Sequence, residues 1–535
     1  MKPVVVVGSG ASGVHFALSL LERGREVVML DVGRRNDPTP LPEERFTGLK
    51  QQLPDPVDYF LGENFEGVTY PDSQGEYYGL PPSKSFVFRG VKGFDAKSNG
   101  FAPLFSFARG GLAEAWTAGV YPFNAAETRS FPFEYADLLA GYDVVAGRIG
   151  ISGGQDDLAR FMPLHDHLLE PLTLDRHSAA LLERYQGVRR LLNEELGCYM
   201  GGTRVATLTR SLDGREACTY LGRCLWGCPR AAFYTPALTL AECMRYPGFH
   251  YMPDTYVSHF RIDRGRRVTS VVVRAADGSG SQEVPASTLA LAAGTLSSAR
   301  IFLESVYRAT GEVLRLGGLM DNRQVLVPFV NLDMVGVPYD PASYQYHLLG
   351  IGLDEPRPAE YVHGQVTTLK TGMAHPILQS LPFDTRTALT FFRQLRSALG
   401  VINMNFHDTR RAASFLTLDR RDGGSPSLVV EYVSDAGEAA HVKQALGRLR
   451  KAMVQLRCIV PPGLTHVRPK GASVHYAGTF PAQSTGHSLT TTPDCRSADF
   501  ENLFFVDGST FPFLPAKNIT FSLMANAVRV AAAAF

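Results

Sequence analysis

The first 31 residues constrain the fold more than any other stretch. Val4-Val5-Val6-Val7 is a β-branched run that reads as a buried strand. Gly8-Ser9-Gly10-Ala11-Ser12-Gly13 follows at once, and Phe16, Ala17, Leu20 and Leu21 then recur at helical spacing between Val14 and Arg23. Glu26–Leu30 reads as a second strand and ends at Asp31. Strand, glycine turn, helix and strand closed by an acid form the context that makes GxGxxG specific for a dinucleotide. Gly8 permits the tight turn, Gly10 lets a pyrophosphate approach the backbone, and Gly13 lets helix and strand pack. The helix start, through Ala11 and Ser12, offers unpaired N–H groups and a positive dipole end. Asp31, followed by Val32 and Gly33, is placed to accept hydrogen bonds from an unphosphorylated adenosine ribose. The turn alone does not separate NAD from FAD.

The remaining composition mostly excludes. The chain has 535 residues, 45% hydrophobic and 20% charged, enough for three or four ordinary units or two large ones. Lys and Arg number 53 against 52 Asp and Glu, a net charge of +1, which argues against a broad nucleic-acid-binding face. No window approaches 18 uninterrupted apolar residues, so no membrane span is expected. Met1-Lys2-Pro3 leads straight into the first strand without a signal-like apolar run, which predicts a cytoplasmic protein. The seven cysteines suggest reduced thiols rather than a disulfide framework. Cys218, Cys224 and Cys228 are spaced C-x5-C-x3-C, without the fourth ligand and tight pairing of a zinc or iron–sulfur site. A packed interior loop is the expectation there, and no metal is predicted.

Residues 34–100 are rich in Pro, Gly and charge and read as loops. Residues 130–200 read as helical pieces, Ala179–Leu196 among them, and Thr235–Arg245 as a helix. Tyr251–Arg261 and Arg267–Ala275 read as strands joined by a polar turn, and Thr288–Ala292 as a buried strand before Gly294 and a helix. Between 310 and 470 the pattern changes to strands at Val325–Val330, Val401–Phe406, Ser414–Asp419 and Leu428–Tyr432. An amphipathic helix follows, with Val442, Leu446, Leu449, Met453 and Leu456 on one face. This block reads as a second domain on a mainly antiparallel sheet.

Three C-terminal features separate the cofactors. They are His475-Tyr476-Ala477-Gly478-Thr479, the strand Asn502-Leu503-Phe504-Phe505-Val506-Asp507-Gly508-Ser509, and Pro515-Ala516-Lys517-Asn518-Ile519-Thr520 at a helix start. Together they resemble the H-x-x-G-T, N-L-x-V-x-D-x-S and N-P-T signatures of the glucose–methanol–choline (GMC) oxidoreductases. Ile519 replaces the family's proline, which helps a helix start without being essential to it. Gly110-Gly111-Leu112-Ala113-Glu114-Ala115-Trp116-Thr117 resembles the family's segment beside the flavin. Trp116-Thr117 makes it most similar to the pyranose-oxidase branch, where Thr117 matches a threonine near flavin N5. That branch's flavin-linking histidine is Ala115 here, which implies FAD held non-covalently. Ala292-Ala293-Gly294-Thr295, with Ser297 and Arg300, resembles the family's A-A-G segment, and Val257 falls on a strand that contacts the adenine part. The cysteine loop is similar to a segment of long-chain alcohol-oxidising members.

The resemblance implies an α/β protein: a Rossmann-type FAD-binding domain, discontinuous in sequence, plus an α+β substrate domain with a mainly antiparallel sheet. The first takes residues 1–130, 205–310 and 471–535. The second takes 311–470, with 131–204 as packing helices and loops. The implied reaction is oxidation of a CH–OH group on a sugar, glycoside or polyol-like small molecule, with hydride passing to flavin N5 and oxygen or another acceptor taking the electrons. His475 is the expected base, since a neutral imidazole can accept a hydroxyl proton. Asn518 is expected to donate to the substrate oxygen as it gains alkoxide character. The helix after it, through Ile519 and Thr520, would aim its positive end at the flavin N1–C2=O edge. Asp507, with Gly508, matches the acid that contacts the ribityl chain. The alternatives are a hydrophobic alcohol, terpenoid or sterol as substrate, a lyase or decarboxylase without net flavin reduction, and a redox-silent FAD-binding protein. Tyr344, Tyr346, His347, Phe392, Asn403 and Asn405 would suit a polar ring. His487 reads as a solvated loop histidine, His165-Asp166-His167 as a surface triplet, and His407-Asp408 as an exposed turn.

Overall fold

The computed structural model describes residues 2–36, 40–65, 67, 76, 78–371, 374–379, 381–419 and 426–535. Its central element is a five-stranded parallel sheet in the order Leu503–Phe505, Leu289–Leu291, Val4–Val7, Val27–Leu30, Phe249–Met252. Three distant stretches of chain therefore build one sheet. The all-valine first strand follows from burial on both faces. Val4 and Val6 pack with helices Ala11–Glu22 and Thr520–Ala534, while Val5 and Val7 pack toward helix Thr295–Thr310. Gly13 is required here, because a Cβ on it would lie 2.0 Å from the Gly8 carbonyl oxygen.

Beyond that sheet lies a three-stranded antiparallel one, Tyr256–Ile262, Val268–Arg274 and Gln282–Pro285. The polar turn at 263–267 separates its first two strands as expected, but the stretch read as one strand, Tyr251–Arg261, is broken at 253–255, and its start belongs to Phe249–Met252 of the parallel sheet.

The second large sheet is antiparallel. Its path runs Cys458–Ile459, Arg323–Asn331, Leu399–Phe406, Val362–Thr368, Leu349–Leu353, Cys198–Gly202, with His466–Val467 also paired to Arg323–Asn331. Alternation sets its two faces. Val325, Val327, Ile402, Met404, Ile351 and Val366 point to helices Arg176–Leu196 and Glu438–Gln455, whose apolar stripes cover them. The opposite face carries Gln324, Asn405 and His363 in one row and Leu326, Asn403 and Gln365 in the next.

Four further local expectations change. The strands Phe415–Asp419 and Ser427–Glu431 do not join this large sheet. They pair with Leu316–Gly317 and Ala96–Asn99 and bury Leu416, Leu418, Leu428 and Val430 in the core shared with helix Thr295–Thr310. Residues 198–202, read as part of packing helices and loops, form an edge strand. Within 34–100 there are short helices at Phe46–Gln52 and Pro56–Leu61, where Trp226 packs with Phe46, Tyr59 and Phe60; positions 37–39, 66, 68–75 and 77 of that stretch lie outside the described residues. His407-Asp408 is not an exposed turn. Residues 408–409 pair with 513–514, Asp408 is 4% exposed and accepts from Asp321 N, Tyr432 Oη and Arg411, and His407 stacks on Phe513.

Candidate functional site

A cleft runs along the C-terminal ends of the parallel strands. Three helices begin at its wall: Ala11–Glu22 after Gly10, Thr295–Thr310 after Gly294, and Thr520–Ala534 after Ile519. None has a side-chain N-cap hydrogen bond or an acid in its first turn. Asp55, Asp175 and Asp384 cap three other helices, while Phe46–Gln52, Tyr135–Ile149, Pro236–Cys243 and Glu438–Gln455 also lack a side-chain cap, so it is the meeting of the three N-termini at one cleft that sets them apart. Three uncapped N-termini bring unpaired N–H groups and positive dipole ends to one cleft, an arrangement made for an anionic ligand. At Gly10 and Gly294 a Cβ would meet nothing within 4 Å, so both leave open space on the cleft side.

Asp31 lies in the wall, 8% exposed. Its Oδ2 accepts from Ser9 Oγ and, at 2.9 Å, from Tyr251 Oη, and Ser9 Oγ accepts from Gly110 N at 3.0 Å. Burial raises its carboxyl to about 6 against these hydrogen bonds. Asp507 sits at the end of strand Leu503–Phe505, and its Oδ2 accepts from Ser298 Oγ at 2.5 Å and Gly294 N at 3.0 Å. It thereby ties the last strand to the turn before helix Thr295–Thr310. Arg300, 2% exposed, also lines the cleft. Its Nε and Nη1 have no hydrogen-bond partner among the described residues, and its Nη2, 2.8 Å from Glu304, is out of line for one.

His475 and Asn518 stand beside this cleft, whose lining includes their neighbours Val474, Tyr476 and Ile519. The His475 backbone N–H donates to Ser473 Oγ at 2.9 Å, and Ser473 Oγ in turn donates to Asp321. The His475 ring places Nδ1 3.0 Å from Asn322 Oδ1. Burial, with a smaller contribution from the Arg468 charge, lowers His475 to about 4, so the ring is neutral near pH 7. Asn518 Oδ1 accepts from Gln365 Nε2 at 2.8 Å. That bond occupies the amide oxygen and leaves the Asn518 N–H groups as its free donors. The preceding Lys517 is buried, and its Nζ donates to Pro122 O at 2.8 Å, Phe161 O at 2.7 Å and Glu127 Oε2 at 2.6 Å. All three ammonium hydrogens are spent on anchoring the turn that carries Asn518.

Most residues expected to contact a cofactor share the cleft. Gly8, Gly10, Ala11 and Ser12 line one end with Asp31, Val32 and Val257, while Ala293, Gly294, Asp507, Gly508, Ile519, Thr520 and Gly111 continue the wall. Gly13 packs behind the turn, and Gly33 abuts Tyr251 Oη. Gly110 reaches the cleft only through Ser9. Trp116 is half-buried, donates Nε1 to Tyr234 O at 2.9 Å and is absent from the lining, as is Thr117, whose carbonyl accepts from Tyr344 Oη. Sequence reasoning missed Ser9, Phe94, Phe107 and Tyr256 in the lining, and Asn322 and Gln365 beside the catalytic candidates. Ser9 was within reach, since it lies inside the glycine motif. Cys218, Cys224 and Cys228 pack at the edge of the Trp116, Tyr234 and Tyr344 cluster, and burial pushes the Cys218 thiol up to about 11. No group of three or more His, Cys, Asp or Glu suited to a metal occurs among the described residues. His165 is buried against Phe521, Asp166 and His167 are exposed, and His487 is exposed in its loop.

Residues 410–527, which hold His475, Asp507 and Asn518, match the GMC oxidoreductase family model. Over 99% of its length the chain is 24% identical to 6'''-hydroxyparomomycin C oxidase of Streptomyces lividus, covering 90% of that protein. The same figures hold for paromamine 6'-oxidase of Streptomyces fradiae. The C-terminal part of the chain is that of a GMC oxidoreductase. The same fold occurs in pyridoxine 4-oxidase from Mesorbium loti, with TM-score 0.60, 15% identity and 99% of each chain covered. It also occurs in a formate oxidase of Aspergillus oryzae RIB40 studied for FAD modification, with TM-score 0.60, 12% identity, and 99% of this chain and 97% of that one covered. No helix of the chain is long and apolar enough, among the described residues, to cross a membrane.

Proposed function

We propose that this GMC oxidoreductase binds FAD non-covalently in the cleft and oxidises a CH–OH group on a sugar, glycoside or related polyol. The observation that carries the FAD reading is the convergence of three uncapped helix N-termini on a cleft that also holds Asp31 and Arg300, whose Nε and Nη1 have no hydrogen-bond partner among the described residues. Residues of the glycine turn would hold the pyrophosphate, Asp31 the ribose, and Asp507 the ribityl chain. Ala115 offers no side-chain nucleophile for a flavin link. When bound, FAD supplies the hydride acceptor. Residues 1–130, 205–310 and 471–535 form the FAD-binding domain in this reading, and 311–470 with 131–204 the substrate domain.

The chain's own residues handle the proton and the oxygen. His475 takes the hydroxyl proton at Nε2, the ring nitrogen not engaged by Asn322. Asn518 donates an N–H to the oxygen as negative charge grows on it. The positive end of helix Thr520–Ala534 favours the extra negative charge that the cofactor gains on reduction. One face of the antiparallel sheet, with Gln324, Asn405 and His363 in one row and Asn403 and Gln365 beside Leu326 in the next, supports a hydroxylated substrate over a terpenoid or sterol. The two Streptomyces relatives, named for oxidising aminoglycosides, support a glycoside as the class and oxidation over lyase chemistry.

The test is anaerobic. The holoenzyme is mixed with methyl glucopyranoside, paromamine, a linear polyol and a sterol, and flavin absorbance is followed. Bleaching by a glycoside or polyol is expected. Bleaching by the sterol alone, or by none of them, contradicts the proposal.

A further inference from the structure

We infer that Asn322 is a positioning residue that fixes the tautomer of His475 and ties its ring to the turn presenting Asn518. The inference rests on the reading of His475 as the base. Strand Met320–Asp321 pairs antiparallel with Tyr476–Ala477, which brings Asn322 beside His475. Asn322 is 1% exposed, so water cannot substitute for its partners. Both of its amide hydrogens are committed, one to Phe406 O at 2.8 Å and one to Pro515 O at 2.9 Å. Only Oδ1 remains for the imidazole, and it lies 3.0 Å from Nδ1.

The consequence is a matter of hydrogen-bond bookkeeping. An amide oxygen can only accept, so His475 Nδ1 must carry the ring proton. In the neutral ring the lone pair is then confined to Nε2, the atom that would receive the substrate's proton. The bond to Pro515 O acts three residues before Asn518, whose own amide is oriented from the other side by Gln365. One buried side chain thus links the base to the oxygen-orienting residue, across the substrate sheet at Phe406.

The charged and titratable groups around His475 leave this role to Asn322. Asp321 is engaged by Ser473 Oγ and Gly471 N, Asp408 by Tyr432 and Arg411, and Lys517 by Glu127. Arg468 bonds Gln324 and Glu76, Lys470 bonds Glu438, and Tyr476 Oη donates to Gly471 O. His363, on the facing sheet, meets Tyr361 Oη through its Nδ1. Only Asn322 is hydrogen-bonded to His475 Nδ1 among the described residues.

The decisive readout is the imidazole itself, in FAD-bound, ¹⁵N-histidine-labelled protein. His475 resonances are identified by their loss in His475→Gln. Between pH 5.5 and 8, Nδ1 should show the shift of a protonated ring nitrogen and Nε2 that of an unprotonated one. An Nε2–H tautomer in the unmodified protein overturns the inference without any variant of Asn322. In Asn322→Leu, with FAD still bound, the two nitrogen shifts should move toward each other as both tautomers populate. In Asn322→Asp the His475 titration should rise by at least one pH unit. Unchanged tautomer in the first variant, or unchanged titration in the second, contradicts a positioning role. A wild-type Nδ1–H ring in an enzyme that no alcohol reduces would leave this inference standing and defeat the proposed function.

Discussion

Lys517 and Glu127 form an ion pair at 2.6 Å, both side chains fully buried, immediately before Asn518 in the chain. Burial pushes the Lys517 ammonium down and the Glu127 carboxyl up, and each charge opposes the shift of the other. Such a pair adds little net stability, but breaking it strands a buried charge. Glu127→Gln should therefore cost about 3–5 kcal/mol. Thermal unfolding checks this, and Glu127→Leu with Lys517→Met should recover part of the loss. A variant as stable as wild type would show that the turn before Asn518 is held by other contacts.

Asp31 offers a test of the cofactor's adenosine end. A hydrogen bond to a charged group contributes about 1.5–3 kcal/mol, or roughly 10–100-fold in affinity. Asp31→Ala should weaken FAD by that factor, measured by titrating apo-protein with FAD and following flavin fluorescence. Unchanged affinity would remove Asp31 from the site.

The flavin link predicts a simple outcome. With Ala115 in place of a linking histidine, acid precipitation should leave a colourless pellet and release the yellow cofactor to the supernatant. A pellet that keeps its flavin absorbance would contradict non-covalent binding.

His475, held at about 4, sets a pH dependence. As the proposed base it would act when neutral, so flavin reduction under saturating alcohol should stay level from pH 8 to about 5 and fall below that. A free imidazole would lose rate near pH 6.5 instead. The same shift affects stability. A histidine whose folded pKa is depressed binds fewer protons folded than unfolded between pH 6.5 and 4, so stability falls as pH drops through that window. His347, near 3, and His165, His177, His259 and His407, near 4, act in the same direction. Asp31, raised to about 6, and Asp321, raised to about 7, act against them. A midpoint in urea that did not fall between pH 6.5 and 4.5 would contradict this balance.

Much of the cleft was legible because its parts are written locally. The Gly8-to-Gly13 turn, Asp31 and the Asn518 helix start are each recognisable within a few residues of chain. The surroundings of His475 and Asn518 were not, because their partners are remote in sequence. Asn322 lies 153 residues before His475, Gln365 153 before Asn518, and Glu127 390 before Lys517. Alternation at 415–419 and 427–431 announced strands but could not say which sheet they join. The strand Leu349–Leu353 carries two glycines and has little period-two signal, so only its partners, Cys198–Gly202 and Val362–Thr368, define it. Near Asp408, charge suggested exposure where Tyr432 and Arg411 bury and satisfy it.

The central claim is that an alcohol delivers hydride to bound FAD while His475 takes its proton. The most direct measurement is stopped-flow flavin reduction without oxygen, comparing wild type with His475→Ala at equal FAD occupancy. The glycoside or polyol that bleaches the wild-type flavin should reduce the variant about 10²–10⁴-fold more slowly. Equal rates in the two proteins, or a wild-type flavin that no glycoside or polyol bleaches, would contradict the account.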